Sequence, residues 1–169
     1  MNEQEKYQMY CKSFETLCKM AIENGWGDPA SYARSKEIYM AAKLGHTIAP
    51  KLAGPDAYDK AGSPLEYKST TQDRIQGAYN GVSVQSTWKE QEKYLKQDKI
   101  GCYKEHYFAR FKDGLIAECY MLTGKQVLEN LLPKYEKAWH KLQKKMPKDP
   151  RLGASVPSGY IKKNGVKVI

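Results

Sequence analysis

Apolar side chains recur at three- and four-residue steps through Tyr7, Tyr10, Cys11, Phe14, Leu17, Cys18, Ala21 and Ile22, one stripe of an amphipathic helix ending at Asn24-Gly25. Such a stripe has to pack on something. A second helix is predicted over residues 32–44, capped by Ser31, stopped by Gly45 and burying Ile38, Tyr39 and Ala42. The period then changes. Residues 57–59 and 65–70 read as extended segments joined by Lys60-Ala61-Gly62-Ser63-Pro64, whose glycine and proline favour a turn. Residues 71–87 carry little pattern and read as a long surface loop, of the kind more often functional than filler. Residues 88–99 suit a short charged helix. Tyr103, Tyr107 and Phe111 alternate with polar neighbours as in a half-buried strand, and residues 115–122 form its hairpin partner across Lys112-Asp113-Gly114. Val127, Leu128, Leu131, Leu132, Tyr135, Ala138, Trp139 and Leu142 define a long helical stripe, with Pro133 marking a kink or a fresh start. Residues 160–169 suggest a hairpin about Asn164-Gly165. The sum is helices at both ends of a small mixed sheet, an α/β or α+β arrangement whose topology the pattern leaves open.

A chain of 169 residues suits a single domain, here a helical region over 1–45, a sheet with its loop over 54–122, and a helix and hairpin over 123–169. A hydrophobic fraction of 41% with 28% charged residues favours a folded, soluble chain. No apolar run approaches a membrane span and the N-terminus lacks the order of a signal peptide, so a cytoplasmic protein without a membrane partner is the expectation. Cys11, Cys18, Cys102 and Cys119 sit among apolar neighbours at spacings that match no zinc pattern, and read as reduced core cysteines. The formal net charge of +9 favours a polyanionic partner, nucleic acid first, although a basic surface also serves solubility.

The sharpest local feature is Gly54-Pro55-Asp56, nine residues, then Glu66-Tyr67-Lys68. In a strand, residues two apart share a face, so Glu66 and Lys68 project together while Leu65 and Tyr67 turn the other way. A turn at Gly62 would bring Asp56 back beside them. Two carboxylates offer the oxygen ligands that suit Mg²⁺, and a lysine can orient or deprotonate an attacking water or neutralise charge on a phosphate. The plainer alternative is a turn-capping Asp56 and an exposed Glu66–Lys68 pair worth roughly 0–1 kcal/mol.

Gly54-Pro55-Asp56-Ala57-Tyr58-Asp59-Lys60-Ala61-Gly62, followed by Glu66-Tyr67-Lys68-Ser69, resembles the core of the PD-(D/E)XK nucleases, and among them the PvuII family of type II restriction endonucleases. The resemblance extends through Gly45-His46-Thr47-Ile48-Ala49-Pro50, Tyr107-Phe108-Ala109-Arg110-Phe111, Ile116-Ala117-Glu118 and Tyr135-Glu136-Lys137-Ala138-Trp139, most of the chain after residue 30. It implies a restriction-endonuclease-like fold, a central mixed β-sheet flanked by helices. It also implies Mg²⁺-dependent, site-specific cleavage of double-stranded DNA that leaves 5′-phosphates. Asp56 and Glu66 would ligate the metal, the backbone carbonyl of Tyr67 would add an oxygen, and Lys68 would serve the water. A homodimer is implied too, with the N-terminal helix in the contact; packing of the same stripe within one chain is the alternative.

Two departures stand out. Ala53 occupies the position where the family carries an acidic residue, so a further ligand would come from elsewhere, with Glu37 on the second helix as the candidate and a solvated helix glutamate as its alternative. The family's base-reading histidines have no counterpart in Gly77-Ala78-Tyr79-Asn80-Gly81-Val82-Ser83. Asn80, Ser83, Gln85 and Ser86 can still bond base edges, and Arg74 suits guanine or phosphate. Lys89, Lys93, Lys96 and Lys99 could meet phosphate or form a solvated face, as could Lys141, Lys144, Lys145, Lys148 and Arg151. His106 reads as a satisfied sheet residue rather than a ligand. Competing functions are a homing, phage or repair nuclease with the same centre, or a non-catalytic DNA-binding module; against the latter, a carboxylate pair beside phosphate repels it unless a metal intervenes.

Overall fold

In the computed structural model, which describes residues 1–50, 54–144 and 150–169, the chain forms two units, Met1–Ala61 and Gly62–Ile169. The first begins with α1 (Glu3–Glu23), started by a reciprocal capping box in which Asn2 and Glu5 bond each other's backbone amides. It ends at Asn24, where the sequence stripe ends. Ala21 is buried, but Tyr7, Tyr10, Phe14, Leu17 and Ile22 are exposed.

The second helix, α2 (Arg34–Leu44), starts later than the spacing predicts. Tyr32 adopts a left-handed φ of 47°, and the Ser31 hydroxyl bonds the Asp28 carboxylate instead of capping the helix. Gly45 at φ 71° closes it as expected. Its buried residues are Arg34, Met40 and Ala41, whereas Ala42 is exposed, so the packed face is rotated from the one expected. Arg34 sets that rotation. Its guanidinium bonds the carbonyls of Trp26 and Ala49 and pairs with Glu37 at 3.1 Å, so a fully buried charge is completely engaged. The strands β1 (Thr47–Ile48) and β2 (Ala57–Tyr58) pair antiparallel, and the Ala49 amide donates to the Asp56 carbonyl at 3.0 Å.

The second unit contains β3 (Pro64–Thr70), β4 (Gly77–Ser83), α3 (Trp88–Tyr94) continued by a π-helical turn over Leu95–Lys99, β5 (Glu105–Lys112), β6 (Leu115–Thr123), α4 (Gly124–Gln143), β7 (Arg151–Val156), α5 (Ser158–Asn164) and β8 (Val166–Lys167). Within it a mixed sheet runs β3-β5-β6-β8, with β3 and β5 parallel and the other pairs antiparallel. β4 and β7 form a separate antiparallel ladder. This mixed sheet with its helices is the α/β class that the sequence indicates and fits a restriction-endonuclease-like fold. The β5–β6 hairpin turns at Asp113 and Gly114, both left-handed, where expected. Helix α4 runs unbroken through Pro133, which lies on its exposed side; Val127, Leu131, Tyr135 and Trp139, spaced by four, line its buried side. They join Ile75, Val82, Phe108, Leu122, Leu152, Val156 and Ile161 in one core.

Three expectations are corrected here. Residues 77–83 form a strand rather than a loop. Its inward positions Gly77, Tyr79 and Val82 break alternation because a bulge at left-handed Gly81 inserts a residue. The C-terminal segment is helix α5 followed by β8, not a hairpin, since Asn164 and Gly165 end a helix whose Ile161 fills the core. Of the four thiols, all free, only Cys119 is buried, and Cys11 is exposed on α1.

Replacing Arg34 by Ala leaves two carbonyls and Glu37 without their donor, so Arg34→Ala is expected to cost about 3 kcal/mol of stability, measured as a shift in the urea midpoint. Arg34→Lys should recover little of it, because one ammonium cannot reproduce the planar fork that reaches three acceptors. A loss below about 0.5 kcal/mol would show that Arg34 does not anchor the first unit.

Candidate active site

Strand alternation settles the first question about the motif. Leu65 and Tyr67 are buried on one face of β3, where Tyr67 stands edge-on to Tyr107 at 5.9 Å. Glu66 and Lys68 share the opposite face, with side chains 15% and 23% exposed, and the Lys68 ammonium hydrogen-bonds the Glu66 carboxylate directly. Parallel pairing with β5 sets Glu66 opposite His106 and Lys68 opposite Phe108.

A second contact bears on Lys68. Its Nζ lies 4.9 Å from the centre of the Tyr79 ring, in cation–π range. The approach of β4 depends on Gly77, where an added Cβ would fall 2.2 Å from the Phe108 ring and 3.4 Å from Lys68 Cγ. Tyr79 in turn is tied down. Its hydroxyl lies 2.8 Å from His106 Nδ1, while His106 Nε2 lies 3.1 Å from the Ile100 carbonyl. A carbonyl only accepts, so Nε2 carries the proton and Nδ1 accepts from Tyr79. Burial pushes the His106 pKa down to about 3, the positive charge of Lys68 adds to that, and the Ile100 bond opposes it, so the ring is neutral. The π-helical turn delivers Ile100 to this position. Gly101 beyond it is obligatory, since a Cβ there would meet the Lys96 carbonyl oxygen at 2.2 Å. His106 is thus a satisfied sheet residue, as the sequence suggests, but its role in holding Tyr79 is not legible there.

In the first unit, Asp56 precedes β2, half-buried, with its carbonyl bound by the Ala49 amide. Glu37 is engaged with Arg34. Ala53 lies outside the described residues. Among the described residues, no group of three or more His, Cys, Asp or Glu side chains gathers as a metal cluster. Each candidate donor, Asp56 in the first unit and Glu66 and the Tyr67 carbonyl in the second, offers oxygen, the donor type that a hard cation prefers. Two of the thiols are poor nucleophiles: burial, joined by the negative charge of Glu66, raises Cys102, and burial pushes Cys119 up to about 12.

The candidate DNA-contacting residues fall on three surfaces. Arg74 is exposed on the segment before β4, beside Thr71, Gln72, Asp73 and Gln76. Asn80 is exposed on the β4–β7 ladder and lies against Gly153, where a Cβ would come within 2.6 Å of its Oδ1. Ser83 lies on the same ladder with Arg151 Nη1 3.5 Å from its Oγ, a proximity of Arg151 that its place in the sequence does not reveal. Gln85 and Ser86 follow, Gln85 held through its backbone by Gln91 and Trp139. Lys89 and Lys93 are exposed on α3, and Lys96, paired with Glu92 at 2.8 Å, and Lys99 are exposed on the π-helical turn that follows. Lys141 and Lys144 are exposed at the end of α4, while Lys145 and Lys148 lie outside the described residues. No helix among the described residues is long and apolar enough to cross a membrane.

The depressed His106 pKa makes stability depend on pH. Between its unfolded value near 6.5 and its folded value of about 3, the unfolded chain binds a proton that the folded chain refuses. Stability contributed by the neutral ring is therefore complete above pH 6.5 and falls with pH, reaching a loss of about 4 kcal/mol near pH 3.5. Urea titrations from pH 7 to 4 should show this slope in the native protein and a shallower one in His106→Asn; equal slopes would remove His106 as its source.

Among curated proteins none matches the chain significantly. A family model described as restriction endonuclease PvuII matches residues 2–169, nearly the whole length. The chain therefore belongs to the PvuII family of restriction endonucleases, and is a DNA endonuclease of that type.

Proposed function

We propose that the protein is a Mg²⁺-dependent, site-specific endonuclease that cuts both strands of double-stranded DNA and leaves 5′-phosphates, with Asp56, Glu66 and Lys68 at its catalytic centre and the whole chain acting as one nuclease domain. The observation that carries this reading is the Glu66–Lys68 pair, ammonium against carboxylate on a partly open face of β3, in a chain of the PvuII family. Asp56 and Glu66, with the Tyr67 carbonyl, would hold the cation. Bound Mg²⁺ supplies charge neutralisation on the phosphate and acidifies a water. Lys68 directs its ammonium at the attacking water and at the negative charge that builds on phosphorus-bound oxygens. The water oxygen forms its bond to phosphorus as the bond to the 3′ oxygen breaks, and that oxygen takes a proton to leave as a hydroxyl. Glu37 is already committed to Arg34, so its use as a ligand would cost that pair.

The β4–β7 ladder supports base reading, since a two-stranded ribbon fits the major groove and Asn80, Ser83, Gln85 and Ser86 carry the donors and acceptors for it. Arg74, Lys89 and Lys93 suit phosphates, or guanine in the case of Arg74. The exposed Tyr7, Tyr10, Phe14, Leu17 and Ile22 on α1 support the homodimer, which gives one site for each strand.

Plasmid DNA of known sequence should yield discrete fragments with Mg²⁺ and none with EDTA. Lys68→Ala and Asp56→Ala should each slow single-turnover cleavage by roughly 10²–10³-fold while DNA binding without cleavage persists. Cleavage unaltered by either substitution would defeat the assignment. Sedimentation should report a dimer that Leu17→Glu converts to monomer; a monomer in the native protein would remove α1 as a subunit contact.

A further inference from the structure

We infer that Tyr79 is a positioning residue for cleavage: its ring, clamped through His106 to Ile100, is the platform that keeps the Lys68 ammonium in place. The inference rests on the reading of Lys68 given above and concerns a residue outside the carboxylate–lysine motif.

Lysine has a long, flexible stem, and fixing it costs up to roughly 2 kcal/mol of rotamer entropy. Among the described residues, Lys68 is restrained by the Glu66 carboxylate and by the face of the Tyr79 ring, 4.9 Å from Nζ. They differ in what happens on catalysis. If Glu66 turns its oxygens to a cation, its hold on Lys68 weakens, whereas the Tyr79 face attracts the ammonium without competing for the same charge. The ring is therefore the contact that can persist.

Its rigidity is built in three stages. Tyr79 bonds His106, and His106 bonds the Ile100 carbonyl at the end of the π-helical turn. The Tyr79 carbonyl accepts a 2.7 Å bond from the Tyr135 hydroxyl on α4, fixing the backbone that carries the ring. Gly77, with no Cβ, brings β4 close enough for the ring to reach Lys68. Simple core filling would not need this arrangement. Phenylalanine would fill the same volume, and the hydroxyl would then not be spent on a buried histidine.

The test compares Tyr79→Phe and Tyr79→Leu, each with Lys68 present and with Lys68→Ala, in single-turnover cleavage and in DNA binding measured with EDTA. Tyr79→Leu should slow cleavage about tenfold or more at unchanged DNA affinity. Tyr79→Phe, which keeps the face but loses the clamp, should slow it only about threefold. Both effects should vanish in the Lys68→Ala background, as two substitutions on one path do. A purely structural Tyr79 would slow both backgrounds alike, and a DNA-contacting Tyr79 would change affinity; either result overturns the inference. In the metal-free protein, NMR should show the Lys68 ε-methylene protons shifted upfield by the ring, in the native chain and in Tyr79→Phe. An unshifted methylene overturns the inference even if Tyr79→Leu does not fold. Lys68→Ala cleaving at the native rate would bring down the role of Lys68 and this inference with it, whereas an inactive Lys68→Ala beside a fully active Tyr79→Leu brings down this inference alone.

Discussion

A buried imidazole that must satisfy both of its nitrogens without taking a charge is the constraint around which the second unit is organised. His106 sits fully enclosed on β5, and each ring nitrogen has one hydrogen-bond partner. Those partners come from different places in the sequence, the end of the π-helical turn and the middle of β4. The Tyr79 backbone is bonded to α4 through Tyr135, so four elements converge on one polar cluster inside an apolar core. A cluster of this kind adds less to net stability than to uniqueness, because any register error would strand a buried donor or acceptor at a cost of roughly 1–3 kcal/mol.

Charge is distributed with the same economy. Two ion clusters are closed. Arg34 pairs with Glu37 while bonding two carbonyls, and Glu118 lies between Arg110 at 3.0 Å and Lys162 at 2.9 Å. Burial alone would raise the Glu118 carboxyl, but the two cations outweigh it and hold the group below its usual range. Both clusters use arginine, whose fork fixes geometry. The Glu66–Lys68 pair is built differently. Lysine is a compact charge without directional commitment, and its carboxylate partner has remaining lone pairs to offer. A carboxylate free to exchange partners is what cation binding requires, and a lysine held by something besides that carboxylate is what survives the exchange.

Much of this was legible in the sequence. The hairpin at Asp113-Gly114, the stripe of α4, the extent of α1 and the facing of Glu66 and Lys68 away from Leu65 and Tyr67 all follow from period and turn chemistry, because in each a single local rule operates over several residues. The placement of β4 does not follow. Its stabilising partner β7 lies some seventy residues away, and Gly77, Asn80, Gly81 and Ser83 have low intrinsic strand preference. The phase of α2 also escaped, since period reasoning places apolar residues inward and a buried arginine reverses that expectation. The role of Tyr79 escaped for a third reason: His106, Ile100 and Lys68 meet it only through tertiary structure.

The irregularity of β4 also bears on function. A regular strand would alternate strictly between its two faces, and β4 departs from that at one point. At the bulge, Gly81 takes up the left-handed backbone and lets Val82 return to the core, while Asn80 remains outward against a glycine on β7 that leaves it room. Asn80 is thereby exposed, and Ser83 half-buried, on a strand whose Tyr79 lies against Lys68. Under the function proposed, base reading and the positioning of the catalytic lysine are carried on one strand, within two residues of each other in the case of Asn80. A wrong base that displaced β4 by a fraction of an ångström would then disturb Lys68 directly, so specificity could be exercised on the chemical step as well as on binding. The bulge that hides β4 from period reasoning is also what shifts its phase, so that Val82 as well as Tyr79 faces the core.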